Sequence, residues 1–530
     1  MLLIIFLEVL KMKRNIILIL AVVFVLMGTQ LFAGGSASNA ASRPLNVTIW
    51  SRDIAVSADM NFYKQLRTQT GIDANITIVN GSEWTTKMNL MFASGDYADI
   101  IMRGDVEVEQ YGVDQKILIP LEGHIDRYMP NYKALLARDP SLNDYMRASD
   151  GHIYKTGFLV PQNINAERHL FVNKSWLDKV NLAVPKTFSE LENMLRTFKG
   201  KDLNGNGKID ELPLSGIIGS NESILELLSF FGIPYRAGSL WLNITDDNRV
   251  VSPLQHQNFR AAMETLARWY SEGLIDVEAL TQNTSSFEAK VNNSQVGMFW
   301  RWRMKAMLSP DEIVNQYVSI LPLAALPGVT PVVNRYLELP GTGAMITTAC
   351  KDIEKACKWI DAQYTFENMA NGYYGPYKEV TQNNSVMQYG WRKSANGKVD
   401  FFAADLEEIP NQSALHFFSG PEYFEKFNLP AQRIEKIEYC DQLTKAGMVE
   451  KNAATILDSL VKMSPADMAQ RDLLRAQIDT FAKESITNFI SNGVTNASWN
   501  TYTATLQNLR INDYIRLYQN AYDRYRAAQR

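Results

Sequence analysis

Residues 45–105 read LNVTIWSRDIAVSADMNFYKQLRTQTGIDANITIVNGSEWTTKMNLMFASGDYADIIMRGD, and their patterning sets the fold class. Asn46-Val-Thr-Ile-Trp50 is a β-type run with polar residues before it and charged residues after it. Met60–Thr68 reads as helix and Ala74–Val79 as a second strand. Glu83–Ser94 carries Met88, Leu90, Met91 and Phe92 in a helical window and stops at Gly95. Asp99–Met102 is a third strand. This strand–helix alternation predicts α/β units on a largely parallel sheet. Ligands of such sheets bind beyond the carboxyl ends of the strands. Trp50, Arg52 and Asp53 follow the first strand and Arg103 and Asp105 the third, so both turns are candidate site segments.

Working outward, the chain becomes mostly helical from Pro185. Thr187 and Glu190 have the spacing of a capping box opening a helix to Phe198. Gln257–Glu272, Asp352–Tyr364, Ala466–Asn492 and Ser498–Arg526 read as further helical stretches. Val318–Pro322 and Gly343–Thr347 read as strands. Upstream, Lys11, Lys13 and Arg14 precede the apolar run Ile16–Met27, and Ala33 offers a small residue for cleavage. This predicts a signal segment over residues 1–33, with Met12 as a second start, and a small-residue leader over 34–44. The expected product is exported.

The chain has 530 residues, 46% hydrophobic and 21% charged, which is ordinary globular composition for two to four domains. A formal charge of -4 leaves no basic excess for phosphates, so nucleic acid is excluded as a partner class. The three cysteines, Cys350, Cys357 and Cys440, are too few and scattered for a disulfide scaffold or a thiolate metal site. No Gly-x-Ser-x-Gly elbow and no His-Glu-x-x-His helix is present. A secreted carbohydrate-active enzyme would still need only two carboxylates across a cleft, so that alternative stays open at this point.

Residues 202–213 read DLNGNGKIDELP. Asp202, Asn204 and Asn206 alternate, Gly207 sits at the sharp turn, Lys208 offers a carbonyl, and Asp210 a carboxylate. These match positions 1, 3, 5, 6, 7 and 9 of an EF-hand loop. Pro213 occupies the twelfth position, and Glu211 is placed to supply the missing carboxylate. Oxygen-only ligation selects a hard, geometrically tolerant cation, so structural Ca2+ is expected here.

These segments, taken in order, resemble the family 1 extracellular solute-binding proteins of bacterial ABC importers. The oligosaccharide branch, which includes calcium-carrying alginate-binding proteins, is the most similar. The matching runs include Phe92–Ile101, Pro120–Asp126, Pro130–Tyr132, Asp150–Tyr154, Asn173–Asp178, Pro185–Thr187, the loop ending at Pro213, Tyr270–Asp276, Tyr374–Tyr377 and Ala521–Tyr525. The chain departs from lipoprotein relatives in having no cysteine near the cleavage point, which favours a periplasmic location.

The resemblance implies an α/β, two-lobed type II periplasmic-binding clamp with a helix-rich second lobe. Three segments would cross the hinge, near Pro161, near Pro322 and over 395–410. The first lobe would comprise 45–162 with 322–400. The second would comprise 163–321 with 401–530 and carry the calcium loop. An oligosaccharide would bind between the lobes and be passed to an ABC permease, with the protein a monomer. A peptide or small anion is the alternative ligand.

Flat aromatics and placed polar groups suit sugar faces and hydroxyls. Met298-Phe-Trp-Arg-Trp-Arg303 is the densest aromatic–basic cluster. As a strand it would set Trp300 and Trp302 on one side and Arg301 and Arg303 on the other. Tyr373, Tyr374 and Tyr377 flank Gly375-Pro376. The candidate ligand set is therefore Trp50, Arg52, Asp53, Arg103, Asp105, Trp300, Trp302, Arg303, Tyr373, Tyr374 and Tyr377. Arginines in these turns also suit uronates, because guanidinium pairs bidentately with carboxylate.

Overall fold

A computed structural model describes residues 43–51, 61–138, 146–158, 168–219, 223–235, 240–301, 311–335, 341–374, 391–401, 425–429, 431–452, 457 and 461–528. The expected signal segment and all but the last two leader residues lie outside this set. So do the expected crossing near Pro161 and residues 402–410 of the one expected over 395–410.

Strand β1 (Leu45–Ser51), helix α1 (Asn61–Thr70), β2 (Ala74–Asn80), α2 (Trp84–Ser94) and β3 (Ile100–Met102) follow the order read from the sequence. β1 pairs in parallel with β2 from Leu45↔Ala74 and with β3 from Val47↔Ile100. A distant strand, Ala344–Ile346, adds antiparallel to β3. Successive side chains leave opposite faces of a strand. Ile100 and Met102 accordingly join Val47, Ile49, Phe62 and Leu66 in one core. Ile101 joins Trp84, Met88 and Phe92 in another. Leu90, counted in the apolar window of α2, is 65% exposed, because the buried face of α2 runs through Trp84, Met88 and Phe92 instead.

The second sheet is built from β4 (His169–Asn173), β5 (Leu212–Leu214), β6 (Val296–Arg301) and β7 (Tyr317–Ile320), in spatial order β7-β4-β6-β5. Only β5 and β6 pair in parallel, so the largely parallel expectation holds for the first sheet and not for this one. β6 is central and every residue in it is buried. Gly297 is required there: a Cβ would stand 2.7 Å from the Phe198 ring and 2.8 Å from the Pro213 carbonyl oxygen.

The large core of this half gathers α3 (Phe188–Phe198), α4 (Phe259–Ser271), α5 (Pro465–Asn492), α6 (Asn496–Asn508) and α7 (Ile511–Ala528) around Met298 and Trp300. The Thr187–Glu190 capping box is formed as read, with Glu190 N donating to Thr187 Oγ1 at 3.2 Å. The stretch 498–526, read as one helix, is two. Arg510, at φ +63, breaks it between α6 and α7. Leu323, Ala325 and Leu326 pack against this same core, with Ala325 N donating to the Phe230 carbonyl at 2.9 Å. Among the described residues no helix is long and apolar enough to cross a membrane.

Candidate functional site

The turn after β3 is held from beneath. Arg103 adopts φ +68 and donates its amide to the Gly343 carbonyl at 2.8 Å. A Cβ on Gly104 would stand 2.1 Å from the Trp84 ring, so the chain can cross Trp84 only with glycine at this position. The Trp84 indole N–H donates to the Asp105 carbonyl at 2.8 Å. Trp84 thus fixes the backbone and leaves the Asp105 side chain exposed.

Asp105 lines a cavity of about 480 Å³ whose walls come from both halves of the molecule. One wall is α2 with the loop 105–111, Met146, Ala148 and Lys155; the other is 461–463 and the start of α5, through Met468 and Arg471. The Phe92 and Tyr111 rings stack 3.8 Å apart at 17° in the first wall. Lys462 approaches Glu109 at 3.9 Å across the gap. Burial lowers the pKa of both Lys155 and Lys462, partly offset by neighbouring acids: Asp105 and Glu107 for Lys155, Glu109 and Glu107 for Lys462. Three acids (Asp105, Glu107, Glu109) and three bases (Lys155, Lys462, Arg471) therefore line the cavity around an apolar patch. Such a surface can bind hydroxyl groups through charge-assisted hydrogen bonds and carry the ligand's C–H faces on apolar side chains.

Among the sequence candidates, the structure places Asp105 on this cavity. Trp50 is half-buried against the same core as Phe92, its Nε1 3.1 Å from where a Gly81 Cβ would be. Arg103 is half-buried, and its charge acts on the Tyr63 phenol, whose pKa burial raises. Trp300 is 3% exposed and sits in the helix-rich core, edge-on to Phe230 at 6.1 Å. In that position its ring has no face to offer a ligand, and its role is packing. Arg301, on the opposite face, is buried and bonded to Glu288 at 2.9 Å. Arg52, Asp53, Trp302, Arg303 and Tyr377 lie outside the described residues. Tyr373 and Tyr374 end the helix Phe366–Tyr374, and their side chains are outside the description.

Sequence reasoning missed Glu107, Glu109, Tyr111, Lys155, Lys462 and Arg471. The run Asp105-Val-Glu-Val-Glu109 directly after a strand-end turn was a usable signal for the first two. Nothing local marks 461–471 as a facing wall.

The loop 202–211 is preorganised. Asp202 accepts from the amides of Gly205 (2.7 Å) and Gly207 (2.9 Å). Asn204 Oδ1 accepts from Asn206 N and Asn206 Oδ1 from Lys208 N. Gly205 and Gly207 take φ +82 and +81, which favour glycine. Burial alone would raise the Asp210 carboxyl. Amides from Asn206, Gln295 and Asn204, with the Lys208 charge, outweigh it and hold Asp210 below the usual carboxylate range. Glu211, 8% exposed, ties the loop's ends by accepting from Leu203 N, Asn204 N and Asp210 N. Among the described residues no three His, Cys, Asp or Glu side chains converge on one metal position. A site here would depend on amide and carbonyl oxygens beside Asp202 and Asp210, a donor set that suits calcium and not a transition metal.

The profile of the bacterial extracellular solute-binding protein family matches residues 55–370, more than half of the chain. The fructooligosaccharide ABC transporter substrate-binding protein FusA of Streptococcus pneumoniae serotype 4 (strain ATCC BAA-334 / TIGR4) is 26% identical over 489 residues, 88% of this chain and 87% of that protein. The S. pneumoniae FusA complex with kestose superposes with TM-score 0.77 at 25% identity, covering 92% of this chain and 100% of the other. A FusA EF-hand mutant with fructo-nystose gives TM-score 0.78 at 24% identity over the same shares, a likeness of fold. Two sheets with their own cores, a mixed-charge cavity walled by both, and a family match across most of the paired elements agree: this chain belongs to the bacterial extracellular solute-binding proteins.

Proposed function

We propose that the protein is the substrate-binding component of an ABC importer, capturing an oligosaccharide between its two lobes and presenting it to a membrane permease. The observation that carries this reading is the cavity at Asp105, Tyr111, Lys155 and Lys462, which draws on both cores and joins apolar surface to paired charges. The near full-length similarity to a fructooligosaccharide-binding protein supports the substrate class. The protein binds and does not catalyse. It acts as an exported, periplasmic monomer, with residues 1–33 removed. The lobes follow 45–162 with 322–400 and 163–321 with 401–530, except that Leu323–Leu326 and Val332–Val333 pack with the second lobe's elements, so the return to the first lobe comes after them. Closure proceeds only as far as the ligand prefers the closed arrangement.

Calcium binds at Asp202, Asn204, Asn206, the Lys208 carbonyl and Asp210. Glu211 braces the loop and can join through its remaining lone pairs. The ion would supply rigidity to the approach to β5. That one FusA structure carries an EF-hand mutation supports a cation-binding loop in this branch.

The test is a thermal-shift screen in calcium against neutral oligosaccharides, uronate oligomers, peptides and small anions, with product analysis. A rise in melting temperature with one glycan class and no product formed is the expected result. A rise with peptides or anions alone would overturn the sugar assignment, and consumption of the glycan would overturn the binding role.

A further inference from the structure

His169, the first residue of β4, is a buried titratable group that the cavity at Asp105 does not use. Its ring stacks on Tyr439 at 4.0 Å and 21°, with the Phe171 ring 5.7 Å away. Its Nε2 is enclosed and has no hydrogen-bond partner. Tyr439 belongs to the helix Ala431–Lys445, so this stack joins that helix to the second sheet.

The nearest charges are positive. Arg301 stands opposite His169 in the antiparallel register, so both side chains leave the same face. Arg301 is buried and bonded to Glu288 through Nη2, while its Nε and Nη1 meet no acceptor. Lys436 is buried as well, and its charge acts on the His169 ring. Of the acids, Glu288 is taken up by Arg301, Glu226 acts on the Tyr439 phenol, and the exposed Glu435 accepts from Ser319 Oγ at 3.2 Å. The charge of Arg168, the preceding residue, acts on Tyr235. Burial, with the Lys436 charge added, holds the imidazole well below its usual range, so the ring is neutral.

The helix holds the chain's exit from the second sheet. Tyr439 Oη donates to the carbonyl of Ile320, the last residue of β7, at 3.2 Å. Tyr439, Cys440 and Leu443 pack with Leu321, Val333, Met448 and Val449. Val333 N donates to the Met448 carbonyl at 2.7 Å and Glu450 N to the Val333 carbonyl at 3.1 Å. Beyond this segment the chain reaches Ala344–Ile346 on the first sheet.

We propose that His169 is an acid-sensitive latch: its neutral ring keeps the helix Ala431–Lys445 docked on the segment 320–333, and protonation releases the helix, loosens that segment and weakens ligand binding. A proton on the ring would add a charge beside Lys436 and Arg301 with no acceptor at Nε2. Burying an unpaired charge is costly. An undocked ring is hydrated and titrates near the ordinary imidazole value of about 6.5. The docked state thus binds the proton more weakly than the undocked one. Docking is complete above about pH 6.5 and is lost below it, by about tenfold per pH unit. The link to ligand binding rests on the clamp reading above.

The test is hydrogen exchange of the full chain in calcium between pH 7.5 and 5.0, corrected for intrinsic exchange, on wild type and on His169→Phe, which keeps a ring on Tyr439 but carries no proton. In the wild type the helix amides should lose about 30-fold in protection across this range, while β1 and β3 keep theirs. His169→Phe should show no such loss. Calorimetric titration with the oligosaccharide that most stabilises the wild type should show affinity falling over the same range in the wild type and not in His169→Phe. Protection independent of pH in the wild type, an equal loss across the first sheet, or the same loss in His169→Phe would overturn the latch. Should His169→Phe fail to fold, the wild-type profile decides alone. Constant affinity despite release of the helix would overturn the link to the ligand. A wild type that binds no sugar at pH 7.5 would overturn the importer reading, and the exchange profile would still judge the latch.

Discussion

Trp300→Ala should destabilise the protein by about 3–5 kcal/mol, the usual cost of truncating a large buried aromatic. Trp300 lies on the central strand β6, opposite Leu170 in the register, and is 3% exposed among the helices of the larger core. Removing its ring leaves a void between the sheet and the Phe230 edge, and neighbours on a fully buried strand have little freedom to collapse into it. Urea unfolding of wild type and variant checks this. An unchanged midpoint, with sugar affinity lost, would return Trp300 to the ligand site and contradict its assignment to packing.

Removing calcium should have the next largest effect. An ion present at about 100 times its dissociation constant stabilises the folded state by about 2.7 kcal/mol. Chelator should therefore lower the melting temperature of the wild type clearly. Asp202→Ala should abolish the difference between calcium and chelator. The variant should also melt slightly lower than wild type in chelator, because Asp202 accepts from Gly205 N and Gly207 N without any ion. Each such bond contributes about 1 kcal/mol. Differential scanning calorimetry in both buffers measures both terms. A wild type indifferent to chelator would mean that the loop is braced by its own hydrogen bonds alone.

The first sheet was legible because its signals are local. β1, β2 and β3 are short β-rich runs separated by helical windows; β1 and β3 are buried almost throughout, and β2, with only Val79 buried, takes the edge. The Thr187 cap and the 202–211 loop were legible for the same reason, since spacing within about ten residues encodes both. The cluster at Trp300 was misread because an aromatic run on a central strand has the composition of a ligand platform, and only the placement of α3, α4 and α5 decides which it is. The break at Arg510 left little trace, because a left-handed arginine carries no sequence mark comparable to glycine. The facing walls of the cavity were illegible for a different reason. Glu109 and Lys462 meet across more than 350 intervening residues, and nothing near either one announces the other.

Asp105 is the residue through which that cavity is best tested. Its side chain is exposed on the cavity while its backbone carries the contact to Trp84, so Asp105→Ala keeps the turn that Gly104 and Trp84 fix. The measurement is calorimetric titration of wild type and Asp105→Ala with the oligosaccharide that most stabilises the wild type. The expected result is at least a tenfold loss of affinity, about 1.4 kcal/mol, in a variant that still melts cooperatively. Equal affinity in the two proteins would place the sugar elsewhere and contradict the cavity as its site.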